Sequence, residues 1–275
     1  MIGLILGETQ IGKLILERLK EIEKKHIIID ISKKKIFKNK KNSYQLSIGQ
    51  LGKAINLLKK NNCKKIIFAG KVNRPDFLST RFDLKALYYL PKIIKGSKKG
   101  DSYIIKEIIK IFDKEKINVI RQNFFNPELT LKKGIFTKIK PDSNNQKDII
   151  LGKNIISNLK KNNVGQGIVI SNHRIIAVED VDGTDSMLRR ASKVLKKSAK
   201  KKREGILLKY PKINQDLRID LPTVGIKTLK ICADIGLKGI VLKSNQNIFM
   251  DKKKLINFAN KKKMFIEVKW KKYLF

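Results

Sequence analysis

Histidine and cysteine are almost missing from this 275-residue chain, with two of each, and their positions exclude whole classes of chemistry. His26 and His173 stand isolated, so neither a histidine-based zinc centre nor a histidine-driven catalytic dyad is expected. Cys63 and Cys232 are far apart and share no metal or redox spacing, which fits a reducing compartment rather than a disulfide scaffold. Long apolar runs are lacking too: none reaches the roughly eighteen residues of a membrane-spanning helix. The apolar start Met1–Leu6 is too short for a secretory leader and has no basic residues ahead of it.

Acidic residues are scarce as well: 24 Asp and Glu against 63 Lys and Arg, for a formal charge of +39. Such an excess first suggests nucleic acid. The lysines are nevertheless spread along the whole chain, in runs such as Lys33–Lys35, Lys200–Lys202, Lys252–Lys254 and Lys261–Lys263. No helix-turn-helix, zinc-finger or RNA-recognition signature accompanies them, and no basic stripe is interleaved with aromatics. Lys, Ile and Asn are enriched together, as an AT-rich coding bias would produce at neutral surface sites. No nucleic-acid partner is expected; attraction to anionic lipid headgroups is the secondary reading.

What is present is alternation of strands and helices. Ile2–Leu6, a helix from Lys13 to Lys24 and the apolar run Ile27–Ile31 open a βαβ unit. Helices are expected over 50–61, 84–94, 103–114 and near 148–160, with strands at 65–69 and 118–120. A hairpin is expected around Asn172-His173, a helix over 223–235 capped by Gly236, a strand over 239–242, and a last helix and strand over 253–268. The expected fold class is α/β with two α/β domains, the first Rossmann-like with a mostly parallel sheet. Domain 1 spans 1–125, and a linker containing Pro127, Gly134, Pro141 and Asp142-Ser143-Asn144-Asn145 spans 126–147. A C-terminal α/β domain spans 148–275.

Two segments carry the chemistry. Gln215-Asp216-Leu217-Arg218-Ile219-Asp220-Leu221-Pro222 alternates, so a strand would put Asp216, Arg218 and Asp220 on one face and the apolar residues on the other. Two carboxylates can hold a hard cation, and a guanidinium can grip a phosphate; a surface ion trio fits the same pattern. In the second segment, a strand over 174–179 and the turn Asp180–Gly183 lead into a helix opened by Thr184 or Asp185 as N-cap. Glu179, Asp182 and Asp185 crowd negative charge where an anion would otherwise sit, which suggests a metal between them or simply a solvated acidic turn.

Residues 179–190 (EDVDGTDSMLRR) and 205–225 (GILLKYPKINQDLRIDLPTVG) resemble the two signature blocks of the LpxI-type UDP-2,3-diacylglucosamine pyrophosphatases. Gly49–Gly52, Ala69–Pro75, Gly100-Asp101 and Gly165-Gln166 match that family in the same order, from Gly3 to about Val268. The resemblance implies a cytoplasmic, magnesium- or manganese-dependent hydrolase of lipid A synthesis. It would convert UDP-2,3-diacylglucosamine to UMP and 2,3-diacylglucosamine 1-phosphate by attack on the sugar-side phosphorus. Contact with the cytoplasmic face of the inner membrane is compatible with it, and a homodimer is left open.

Pyrophosphate hydrolysis needs charge neutralisation and an oriented water. Asp216 and Asp220 are the first choices for metal ligand or general base, followed by Asp185 and Glu179. Arg218, Arg189 and Lys209 would stabilise developing negative charge. Gly7, Gln50, Gly70, Arg74, Gln166, Thr184, Gln215 and Thr223 are the substrate-binding candidates. The chain departs from the family at Gly7–Gly12, which lacks a proline, and at Ser102.

Two rivals remain. A sugar-nucleotide dehydrogenase or transferase would use Asp30 on a ribose, but Gly7-x-x-x-x-Gly12 is not the dinucleotide fingerprint, and Leu14 stands where a P-loop needs Ser or Thr. A basic RNA- or membrane-surface-binding protein rests on charge alone.

Overall fold

The structure is a computed structural model, and it describes residues 1–71, 79–98, 100–159, 165–197, 203–212 and 215–269. The chain divides into two compact units, Met1–Pro127 with Asp216–Asp220, and Glu128–Gln215 with Leu221–Phe275. The α/β class with a parallel first sheet is borne out. Among the described residues no helix is long and apolar enough to cross a membrane.

In the first unit β1 (Ile2–Leu6), β2 (His26–Asp30), β3 (Ser43–Gln45), β4 (Lys65–Ala69) and β5 (Asn118–Val119) form one sheet in the order β3-β2-β1-β4-β5. Every neighbouring pair is parallel. The central strand IGLIL is buried at every position, as a strand covered on both faces must be. Ile5, Ile27, Ile29, Ile66 and Val119 form one core with Ile55 and Leu58 of α2 (Leu51–Lys60) and Ile109 and Phe112 of α4 (Asp101–Lys114). Each such side chain contributes roughly 1.5–3 kcal/mol of burial. Helices α1 (Gln10–Glu21) and α3 (Leu84–Ser97) also belong to the unit.

The second unit is built on a six-stranded mixed sheet, β6-β13-β11-β9-β7-β8. Its members are β6 (Gly134–Ile135), β7 (Gly167–Ser171), β8 (Arg174–Val178), β9 (Ile206–Lys209), β11 (Gly239–Lys243) and β13 (Phe265–Lys269). A short pair, β10 (Thr223–Val224) and β12 (Ile248–Phe249), stands apart. Alternation along β9 sends Leu207 to the core shared with α6 (Gly183–Lys197), α7 (Ile226–Asp234) and α8 (Lys252–Lys261). Ile206 and Leu208 face the opposite core, with Ile149 and Ile156 of α5 (Ser143–Leu159). The expected hairpin is present: Asn172 and His173 both adopt positive φ, 50° and 62°, between β7 and β8.

Two expected elements differ. The Asp-Ser-Asn-Asn stretch expected as linker starts α5 instead. Asp142 Oδ1 accepts the Asn145 N–H at 2.8 Å, and Asn145 Oδ1 accepts the Asp142 N–H at 3.3 Å, a reciprocal cap of the kind that opens helices. The segment 216–221 is not a strand. Asp216 Oδ1 accepts the Arg218 N–H at 2.9 Å, and Asp216 O accepts the N–H groups of Ile219 and Asp220 at 3.2 and 3.0 Å. A short acidic side chain bonding its own backbone competes with a ladder, so the apparent alternation folds into a turn.

Candidate active site

In the first unit Gly7 and Gly70 directly follow β1 and β4, the two strands flanking the point where strand order reverses, the usual place for ligands in open α/β sheets. A Cβ on Gly70, which has φ +101°, would lie 2.7 Å from the Gly7 carbonyl carbon, so the two segments come this close only because residue 70 lacks a side chain. Gly7 N–H donates to Ala69 O and Glu8 N–H to Lys71 O, both at 2.9 Å. Those donors are spent on the fold; what remains for an anion is the first turn of α1. Gln50 N-caps α2, and its Oε1 accepts the Ser47 N–H at 2.9 Å. Arg74 lies outside the described residues.

The same unit answers the dehydrogenase reading. Asp30 is fully buried, and its two oxygens accept the N–H groups of Ser32 and Phe37, each at 2.9 Å. It staples the loop after β2, and its full burial keeps it from a ribose. Gly12 makes room for the Phe37 ring, 3.1 Å from where its Cβ would be.

The turn 216–220 also belongs to this unit. Arg218 grips Asp216 through two side-chain bonds, Nε to Oδ1 at 3.0 Å and Nη2 to Oδ2 at 2.8 Å. Ile219 packs on the core of this unit. Gln122, buried, holds the turn from beneath: its N–H donates to Arg218 O at 3.1 Å and its Nε2 donates to Ile219 O. Burial pushes the Asp216 carboxyl up, but hydrogen bonds from the Arg218 side chain and backbone outweigh it and hold the group below its ordinary value. The Arg218 guanidinium is raised, chiefly by the same pair. Nothing local in the sequence marks Gln122, because its partner is 97 residues away.

In the second unit Lys209 ends β9 with 5% of its surface exposed. Its Nζ donates to Thr184 Oγ1 at 2.6 Å, and Thr184 Oγ1 donates to Glu179 Oε2 at 2.9 Å. Glu179 is equally buried. A threonine hydroxyl thus links an amine to a carboxyl group inside the unit. The backbone carries the relay: Asn247 Nδ2 donates to Lys209 O at 3.1 Å, and Glu179 N–H donates to Gly167 O at 2.9 Å. Gln215 Oε1 accepts the Lys212 N–H at 2.9 Å, and Thr223 Oγ1 donates to Leu221 O at 3.2 Å. Gln166 Oε1 is a buried acceptor without a hydrogen-bond partner among the described residues.

Cys232 and Asn247 are additions that the sequence did not single out. Burial pushes the Cys232 thiol up to about 12, with Lys209 opposing and Asp185 adding to the shift, so the thiol sits beside the relay as an inert wall.

The acidic corner resolves into separate pairs. Helix α6 begins at Gly183, so Thr184 and Asp185 lie in its first turn rather than at its N-cap. Asp185 pairs with Lys227 at 2.6 Å and Asp180 with Arg190 at 2.7 Å, while Arg189 is exposed. Among the described residues no three acidic, histidine or cysteine groups gather to hold a metal ion. Asp216 and Asp220 share one turn of the first unit, whereas Glu179, Asp185 and Lys209 stand in the second.

Gly165 and Gly167 let Glu179 into place. A Cβ on Gly165, with φ +48°, would fall 1.9 Å from Glu179 O, and one on Gly167 would fall 2.5 Å from Glu179 Oε2. Gly165→Ala should therefore displace Glu179 and strain the backbone by roughly 1–3 kcal/mol. The expected result is a drop in melting temperature of about 2–4 °C for each kcal/mol, together with lost activity. An unchanged melting curve would show that the loop can yield without cost.

A two-unit α/β enzyme, with an arginine–carboxylate turn in one unit and a buried lysine–threonine–glutamate relay in the other, is the class that fold and residues define. The family model of the LpxI N-terminal domain matches residues 1–129, and that of the LpxI C-terminal domain matches residues 132–267. The UDP-2,3-diacylglucosamine pyrophosphatase LpxI of Caulobacter vibrioides is 32% identical over 223 residues, covering 80% of each chain. The chain belongs to the LpxI family.

Proposed function

We propose that this enzyme hydrolyses the pyrophosphate bond of UDP-2,3-diacylglucosamine, in the cytoplasm, as a step of lipid A synthesis. The observation that carries the reading is the ordered match of both family domains across nearly the whole chain, with a relative named for that activity. Water adds to one phosphorus, the bridging P–O bond breaks, and UMP and the sugar 1-phosphate separate.

The residues support this chemistry. Arg218 presents a planar fork suited to a phosphoryl group, and Asp216 holds it in orientation. Lys209 supplies a positioned cation in a site of low water content, where charge stabilisation is strongest. Glu179 and Thr184 fix that amine and are suited to pass a proton along their hydroxyl link.

Magnesium or manganese enters the proposal as a cation carried in by the pyrophosphate, since such ions are commonly held by one or two carboxylates plus phosphate oxygens. Asp220 and Asp216 are the carboxylates proposed to complete its shell. The bound ion would neutralise phosphoryl charge.

The test is release of UMP from detergent-dispersed UDP-2,3-diacylglucosamine by the purified chain, with magnesium and with EDTA. Metal-dependent UMP release is expected. Folded protein giving no UMP above background would overturn the reading, and release unaffected by EDTA would remove the cation from it.

A further inference from the structure

Helix α3 is anchored on one side and bare on the other. Asp83 caps it, Oδ1 accepting the Ala86 N–H at 2.9 Å. Lys85 is paired with Glu115, and Ala86, Tyr89 and Gly96 are buried. Ile93 packs against the core of the first unit.

The opposite side carries Leu84, Leu87, Tyr88, Pro91 and Ile94, spaced at three and four residues, so they share one stripe. Leu84 is 87% exposed, Tyr88 72%, Leu87 48% and Ile94 37%. Among the described residues no other helix or strand exposes more than one large apolar side chain. Exposed apolar residues scattered singly are ordinary; four on one rigid helix are not.

The surroundings decide what covers the stripe. Lys92, Lys95 and Lys98 are exposed along its C-terminal half, and residues 84–98 contain no acidic residue. Lys95 and Lys98 also border a shallow depression of about 430 Å³ with an apolar floor of Leu87, Leu90, Pro91 and Ile94. A second copy docking here would set the three lysines against their equivalents, in a chain already at +39. An anionic lipid surface satisfies both parts: Leu, Tyr and Ile enter the headgroup boundary while the lysine stems reach up to the phosphates.

We propose that the exposed stripe of α3 is a docking surface for an anionic bilayer, inserted shallowly and held by Lys92, Lys95 and Lys98. This goes beyond the hydrolytic reading and does not depend on it, since binding is measured without turnover.

Co-sedimentation of the full chain with vesicles of equal parts phosphatidylglycerol and phosphatidylcholine, and of phosphatidylcholine alone, tests it. Binding to the anionic vesicles is expected. Each lysine near such a surface contributes roughly fivefold. The combined Lys92→Gln, Lys95→Gln, Lys98→Gln variant and the combined Leu87→Ser, Tyr88→Ser, Ile94→Ser variant should each weaken binding by at least roughly tenfold. Removing the same charge from α8 (Lys252→Gln, Lys253→Gln, Lys254→Gln) should cost much less.

Insertion has its own readout. Both native cysteines are buried, so a dye placed through Tyr88→Cys reports the stripe alone. Its emission should shift to the blue on anionic vesicles, whereas a dye at Lys253→Cys should not respond. Equal losses for the α3 and α8 variants, or an unresponsive dye at position 88, would overturn the proposal. So would a wild-type dimer that the serine variant dissociates, since the stripe would then be covered by a second copy.

Discussion

Asp216→Ala and Asp220→Ala are each expected to lower kcat on UDP-2,3-diacylglucosamine by two or more orders of magnitude, about 3 kcal/mol of transition-state stabilisation. The two carboxylates are placed differently. Asp216 spends both oxygens on Arg218, so its loss frees the guanidinium from its aim; Asp220 stands outside that pair. Arg218→Lys should be nearly as damaging, because a point charge cannot reproduce a planar two-bond grip. Melting should barely move for Arg218→Lys, and fall modestly for Asp216→Ala, which also removes the carboxylate that accepts the Arg218 N–H. Arg218 keeps 37% of its side chain exposed, and pairs so placed contribute only about 0–1 kcal/mol.

The pH profile follows from the lowered Asp216 carboxyl. A depressed acid contributes its pairing above its ordinary value and loses it as pH falls through the lowered one. The Arg218 orientation should therefore persist into the range where an ordinary aspartate is already half protonated. Near-wild-type rates in the alanine variants, with only a shifted melting curve, would reduce this turn to a surface ion pair.

Lys209→Met is the second large effect. The substitution keeps the apolar stem within a strand end that is 5% exposed and removes only the amine. A fall in kcat of roughly 10²–10³ is expected from losing a preorganised donor. Stability should fall too, since Glu179 is left buried with the hydroxyl of Thr184 as its remaining link. Adding Glu179→Gln to Lys209→Met distinguishes the two consequences. If the lysine serves catalysis, the double variant recovers melting temperature but not rate. Recovery of both would assign the relay to the fold.

Regular periodicity was readable; side chains that bond their own backbone were not. The run Ile2–Leu6 could be placed as the central parallel strand because it is apolar at every position, and the Asn-His turn announced its hairpin through residues that tolerate positive φ. The block around Glu179 and Thr184 likewise assembled at one place, together with Lys209. Residues 216–221 alternate perfectly yet form a turn, because the Asp216 carboxylate captures the Arg218 N–H. Asp142 and Asn145 look like linker and are a helix cap for the same reason. Gln122 and Asn247 had no local signature at all, since each acts on backbone that only folding brings near.

The five residues Asp216–Asp220, which leave the second unit's sequence to join the first, bear on how the molecule can be dissected. A gene cut after Pro127 would encode a Rossmann-like half with an open socket. Gln122 would lose both of its carbonyl partners, and the seat of Ile219 would become bare apolar surface. A buried amide stripped of its bonds costs of order 1–3 kcal/mol, a large share of a small domain's margin. The two halves matched by separate family models are thus not interchangeable cassettes. Swapping one for a homologous half, or expressing it alone, would require carrying this short return of chain along with it.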